Sequence, residues 1–148
     1  MCALAAANLP QLVSLNLTGV GAGNAALEAL AAAGGFGSLS RLHLAFNQVG
    51  PGGVRALVKS PLAERLARLH LDDNRLGNDG VKALANAKTM TRLVELTLTR
   101  NQMTAEGTGL QALARARALP NLVSLAVQGN PLSAETRQLL AQRFSGVW

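Results

Sequence analysis

The residues that could do chemistry recur at one fixed interval. His43 and His70 stand 27 residues apart, and each follows an arginine two positions earlier, Arg41 and Arg68. One interval further, Glu95 and Thr97 take the same places, while Asp72, Asp73 and Arg100 extend the polar set. Two imidazoles with a nearby carboxylate are zinc-ligand types, but a zinc site needs three or four well-aimed ligands, so no metal site and no cofactor are expected. There is no glycine-rich phosphate loop, no HExxH and no nucleophile elbow, so no enzyme is expected either. The single cysteine, Cys2, excludes an internal disulfide and has no base or cation beside it to make it reactive. What remains is the chemistry of recognition: charges and hydrogen-bonding groups displayed at regular spacing.

The elements that must hold these groups are equally regular. Runs of alternating leucines begin at Leu12, Leu39, Leu66, Leu93 and Leu122, at intervals of 27, 27, 27 and 29 residues. Self-similarity at such a period signals a repeat architecture. Within a run, Leu42 and Leu44, or Leu69 and Leu71, point one way and the residues between them the other, as in a short strand. The period then turns helical, with Val54, Leu57 and Val58 after Pro51-Gly52-Gly53, and Val81, Leu84 and Ala85 after an Asn78-Asp79-Gly80 turn. The glycines are expected at turns that use positive backbone angles. Repeated strand, turn, helix and return predicts parallel strands stacked side by side. Because helices are about 10 Å wide and strands about 4.8 Å apart, the strand side becomes concave.

Four runs carry the full pattern: Leu39xxLeu42xLeu44xxAsn47xVal49, Leu66xxLeu69xLeu71xxAsn74xLeu76, Leu93xxLeu96xLeu98xxAsn101xMet103 and Leu122xxLeu125xVal127xxAsn130xLeu132. On these the chain resembles the leucine-rich repeat proteins, and its unit length with real helices looks like the ribonuclease-inhibitor-like subclass, as a bacterial or fragmentary array. The resemblance implies an α/β leucine-rich-repeat solenoid of about five repeats. The expected organisation is one domain over residues 1–148: the tail of a truncated repeat at 1–11, then repeats at 12–38, 39–65, 66–92, 93–121 and 122–148, with a capping helix in the last. Leu9 to Leu15 nearly copies Leu119 to Leu125, so the chain is expected to begin inside a repeat of a longer array. At the other end Ser133 is placed to cap the final helix, with Glu135 in its first turn, Leu139, Leu140 and Phe144 as its apolar stripe, and Val147 and Trp148 folded over it.

Asn47, Asn74, Asn101 and Asn130 have a structural job. Where the chain leaves each strand, backbone groups turn inward and need partners, and an amide supplies donors and an acceptor together. The first run has Val20 at that position, which leaves its turn without such a group. The outward strand residues are the candidate binding surface for a protein or peptide: Arg41, His43, Phe46, Arg68, His70, Asp72, Asp73, Glu95, Thr97 and Arg100. In parallel register Arg41, Arg68 and Glu95 form one row and His43, His70 and Thr97 the next. Five strands showing about five residues each span on the order of 400 Å² of sheet, small beside the roughly 800 Å² per partner of a standard interface.

The net charge is +6 over 148 residues. Many cations, among them Arg55, Lys59, Arg65, Lys82, Lys88, Arg115, Arg117 and Arg143, fall on the helix side, which raises polyanion or nucleic-acid binding by the convex face as an alternative. Cations near helix C-termini and the scarcity of interleaved aromatics weigh against it. A third alternative is a spacer that self-associates through an open N-terminal sheet edge. No apolar run approaches the roughly 18 residues of a membrane span, and no secretory signal is indicated, so a cytoplasmic setting is expected.

Overall fold

The computed structural model describes residues 6–104 and 106–144. Five three-residue strands form one sheet in chain order: β1 (Ser14–Asn16), β2 (Arg41–His43), β3 (Arg68–His70), β4 (Glu95–Thr97) and β5 (Ser124–Ala126). Five helices alternate with them: α1 (Asn24–Ala32), α2 (Pro51–Val58), α3 (Gly77–Ala85), α4 (Thr108–Arg115) and α5 (Ala134–Arg143). All four strand pairings are parallel, and each helix packs on the next. This is the α/β repeat solenoid that the leucine spacing demands.

The strands alternate as their sequences do. Arg41 is exposed, Leu42 buried and His43 half-buried, and β3 repeats this with Arg68, Leu69 and His70. The inward leucines of the second, third and fourth units, Leu39 to Leu44, Leu66 to Leu71 and Leu93 to Leu98, are enclosed in one continuous core with Leu57, Leu84 and Leu113 from the helices. Each such side chain contributes about 1.5–3 kcal/mol by leaving water. In the first unit Leu12 and Leu15 are only partly buried, because β1 is an edge strand with a neighbour on one side.

Two local expectations need correction. Pro51-Gly52-Gly53 and Asn78-Asp79-Gly80 are not turns before the helices; they lie inside the first turns of α2 and α3. Pro51 suits that place, since a proline at the start of a helix gives up an amide that would be unpaired anyway. Apart from Gly77, which opens α3 with a positive φ, the helical glycines serve close packing rather than positive angles. A Cβ on Gly109 would fall 2.8 Å from the Asn78 carbonyl oxygen, and one on Gly53 would fall 2.9 Å from Asn24 Oδ1. Positive φ belongs to Gly19, Gly21, Gly77, Gly107 and Gly129.

The last helix opens with Ser133 Oγ accepting the Thr136 amide, and Leu140 and Phe144 are buried while Leu139 is half-buried. Arg143, expected among the convex surface cations, instead turns inward. Its guanidinium donates to the carbonyls of Leu113, Ala114, Ala116 and Leu119, gathering oxygens from the last turn of α4 and the loop that follows it. Burial pushes its pKa below the usual guanidinium range. Cys2, Val147 and Trp148 lie outside the described residues.

Candidate functional site: the concave strand face

The four asparagines form the frame on which the face is hung. Asn74 Nδ2 donates to the carbonyls of Leu44, Leu71 and Asp72 at 2.8–3.0 Å, and its Oδ1 accepts the Val49 amide at 2.9 Å. Asn47 repeats the pattern, with its Oδ1 accepting the Ala22 amide. The bend of the first unit, which has Val20 in place of an asparagine, is therefore served by its neighbour, and Val20 itself faces solvent. Asn101 and Asn130 continue the ladder, and Asn130 Oδ1 accepts the Asn101 amide. All four are buried.

The residue before each asparagine is held in the left-handed region: Phe46 at φ 56°, Asp73 at 53° and Arg100 at 50°. The row is closed at its ends by Gly19 at 68° and Gly129 at 69°. Neighbours are joined by amides reaching the next unit, from Gly19 to the Ala45 carbonyl, Phe46 to Asp72, Asp73 to Thr99 and Arg100 to Gln128. Sequence reasoning missed this backbone requirement, although glycine at the same place in the first and fifth units was the signal for it. A side chain there costs about 1–2 kcal/mol relative to glycine.

The rows expected of the face are present in the register. Arg41 pairs with Arg68 and Arg68 with Glu95, while His43 pairs with His70 and His70 with Thr97. The carboxylates are occupied from within. Glu95 Oε2 lies 3.5 Å from Arg68 Nε, and its Oε1 accepts from His70 Nε2 at 3.1 Å. Asp72 accepts the Thr97 hydroxyl and the Thr99 amide. Asp73 takes a two-pronged bond from Arg100, at 2.6 Å from Nε and 2.8 Å from Nη2, which holds its carboxyl below the usual range. The stem of Arg100 lies over Gly129, where a Cβ would come within 2.5 Å of Arg100 Cγ.

The rings of His43 and His70 meet edge to face, with centroids 4.4 Å apart and planes at 78°. Burial is the first cause that lowers the His43 pKa, followed by the charge of His70, with Arg41 and Arg68 adding to it against the opposing pull of Glu95. Among the described residues, no group of three or more histidines, cysteines or carboxylates is arranged to hold a metal ion. What the face leaves available is Arg41, which among the described residues has no carboxylate within ion-pair distance, and Phe46, which is 57 % exposed.

The convex side is less free than its composition suggests. Arg143 is spent on the α4 carbonyls, Arg115 Nη2 lies 3.3 Å from Glu135, and Arg65 donates to the Pro61 carbonyl. Between α1 and α2 an open hollow of about 320 Å³ is lined by Glu28, Ala31, Ala32, Ala56 and Lys59. No helix among the described residues is long and apolar enough to cross a membrane.

Comparison with known proteins agrees with this architecture. A sequence model described as "Leucine Rich repeat" matches residues 38–58 and 66–85. Each matched stretch carries one strand of the sheet and the helix after it. No curated protein matches the sequence. Among solved structures, leiomodin-1 actin-binding site 2 superposes with a TM-score of 0.75 at 19% identity, over 91% of this chain and 80% of that one. The tropomodulin C-terminal domain of Caenorhabditis elegans gives 0.75 at 16% identity, over 96% and 87%. An internalin of Listeria monocytogenes gives 0.56 at 20% identity, over 96% of this chain but 36% of the other. At these identities the likeness is one of fold.

Proposed function

We propose that this chain, a leucine-rich repeat protein, is a non-catalytic interaction module that binds a protein or peptide on its concave strand face. The observation that carries the reading is the distribution of work among side chains. Leucines fill the core and asparagines satisfy the bends, yet the outward positions of the middle units carry Arg41, His43, Phe46, Arg68 and Arg100, which neither of those tasks requires. Exposed ion pairs such as Arg68 with Glu95 contribute only about 0–1 kcal/mol to folding, so stability alone does not explain them. The open, shallow shape suits recognition better than chemistry, which needs an enclosed site that excludes water. That one structural neighbour is itself an actin-binding site favours a protein partner in general.

The test is site-specific photo-crosslinking. A photoreactive amino acid replaces His43 or Thr97 on the concave face, or Arg55 or Lys88 on the helix side, and the adducts formed in the native cell extract are resolved by mass. Discrete protein adducts from the concave positions, absent from the convex ones, support the reading. Adducts from Arg55 and Lys88 alone, with heparin retention that falls steeply as salt rises, would overturn it in favour of a polyanion.

A further inference from the structure

Given that the concave face is the binding surface, its partner can be assigned a chemistry. Arg41 and Arg68 are register neighbours on β2 and β3, so two like-charged side chains leave the same face from backbone positions about 4.8 Å apart, a pairing that costs the free sheet. The nearest carboxylate, Glu95, lies beyond Arg68 and is shared with His70. Asp72 and Asp73 are turned to their own neighbours on the β4 side. Arg41 on β2 therefore has no carboxylate within ion-pair distance among the described residues, while Arg68 on β3, paired with Glu95 at 3.5 Å, still has its side chain 55% exposed.

Three residues beyond β2, in the bend that follows it, Phe46 presents its ring to water. It does so from a left-handed backbone, in a row position that the first unit gives to Gly19. A bulky residue there is disfavoured by the backbone, and an exposed ring adds nothing to the core. On the adjacent unit Val20, the residue after Gly19, is also exposed, at 54 %, and adds a second apolar group to the bends of the β1–β2 half. An extended peptide five residues long advances roughly 16 Å, enough to run from the arginines at the start of β2 and β3 to the bend at Phe46.

We propose that this half of the face binds an extended acidic peptide, with a carboxylate bridging Arg41 and Arg68 and an apolar side chain about five residues away covering Phe46 and Val20. A carboxylate accepting from both guanidiniums removes their repulsion and gains charge-assisted bonds. The apolar residue buries the one aromatic ring the face offers, in the manner of an interface anchor. The small area of the sheet fits a linear segment better than a folded domain.

The experiment is selection of a random 12-residue phage-displayed peptide library on the full chain, followed by fluorescence anisotropy with the resynthesised peptides. The expected consensus pairs acidic residues with an apolar one at that spacing. Arg41→Ala and Phe46→Gly should each weaken Kd by roughly tenfold or more. Phe46→Gly is chosen because glycine relieves the backbone and Arg41→Ala because it removes a like charge, so neither should lower the melting temperature. A basic consensus, no enrichment over the unselected library, or indifference to both substitutions overturns the proposal. If affinity falls only with Thr99→Arg, the concave face binds but not in this way. If it falls only with Arg55→Glu on α2, the proposed function fails as well.

Discussion

Asn101 is completely enclosed, and its amide reaches the Leu71 and Thr99 carbonyls while its Oδ1 accepts the Leu76 amide. Replacing it by alanine strands buried backbone groups, so Asn101→Ala should cost about 1–3 kcal/mol in urea unfolding. The role of these asparagines was legible from spacing alone, because an amide at a fixed distance from alternating leucines has few other uses. The left-handed row was not read, since Phe46, Asp73 and Arg100 share no chemistry and only Gly19 and Gly129 betray the backbone. Nor could spacing foresee that the two imidazoles pack edge to face and turn one nitrogen to Glu95. His43 titrates lower in the folded chain than in the unfolded one, so the unfolded chain binds more protons near neutrality. Its contribution to stability is present above the ordinary histidine value of about 6.5 and is lost as pH falls through the folded value. Thermal unfolding of wild type against His43→Gln between pH 7.5 and 5 should show part of the acid-side loss disappear in the variant.

At the scale of elements, the helices are set by what lies between them. Glycine inside a helix ordinarily costs about 1 kcal/mol relative to alanine, so an exposed helical glycine would gain from the change. Gly109 should do the reverse, because the added Cβ meets the Asn78 backbone oxygen at 2.8 Å and backbone cannot give way cheaply. Gly109→Ala is expected to lose about 1–3 kcal/mol by chemical denaturation. Gly23 is the counterpart: it caps α1 in extended conformation, makes no side-chain cap, and has open space where a Cβ would go. Gly23→Ser should gain about 0.5–1 kcal/mol. The strand and helix order was readable from the change of hydrophobic period, but where each helix begins was not. A helix start depends on how closely neighbouring units approach, and Pro51-Gly52-Gly53 reads locally as a turn. The inward course of Arg143 was hidden for the same reason, since its partners are carbonyls 24 to 30 residues back in the chain, about one unit.

For the whole molecule, stability should grade along the solenoid, because each unit is held mainly by its neighbours. Leu69 and Leu96 have strands on both sides and are enclosed, whereas Leu15 belongs to the edge strand and is half-buried. Native-state hydrogen exchange should find the β3 and β4 amides slowest and those of β1 fastest. The architecture was legible because a repeated unit states its pattern five times; the binding surface was legible only as a set of positions. Which of those positions are free depends on ion pairs between units, and these follow from side-chain geometry rather than from register. The direct test of the concave face is amide chemical-shift mapping of the full chain titrated with the partner that cross-links to it. Shifts gathered at Arg41, His43, Phe46, Arg68 and Thr97 are predicted. Shifts gathered instead at Arg55, Lys82 and Lys88 on the helices, with the strand residues unmoved, would contradict it.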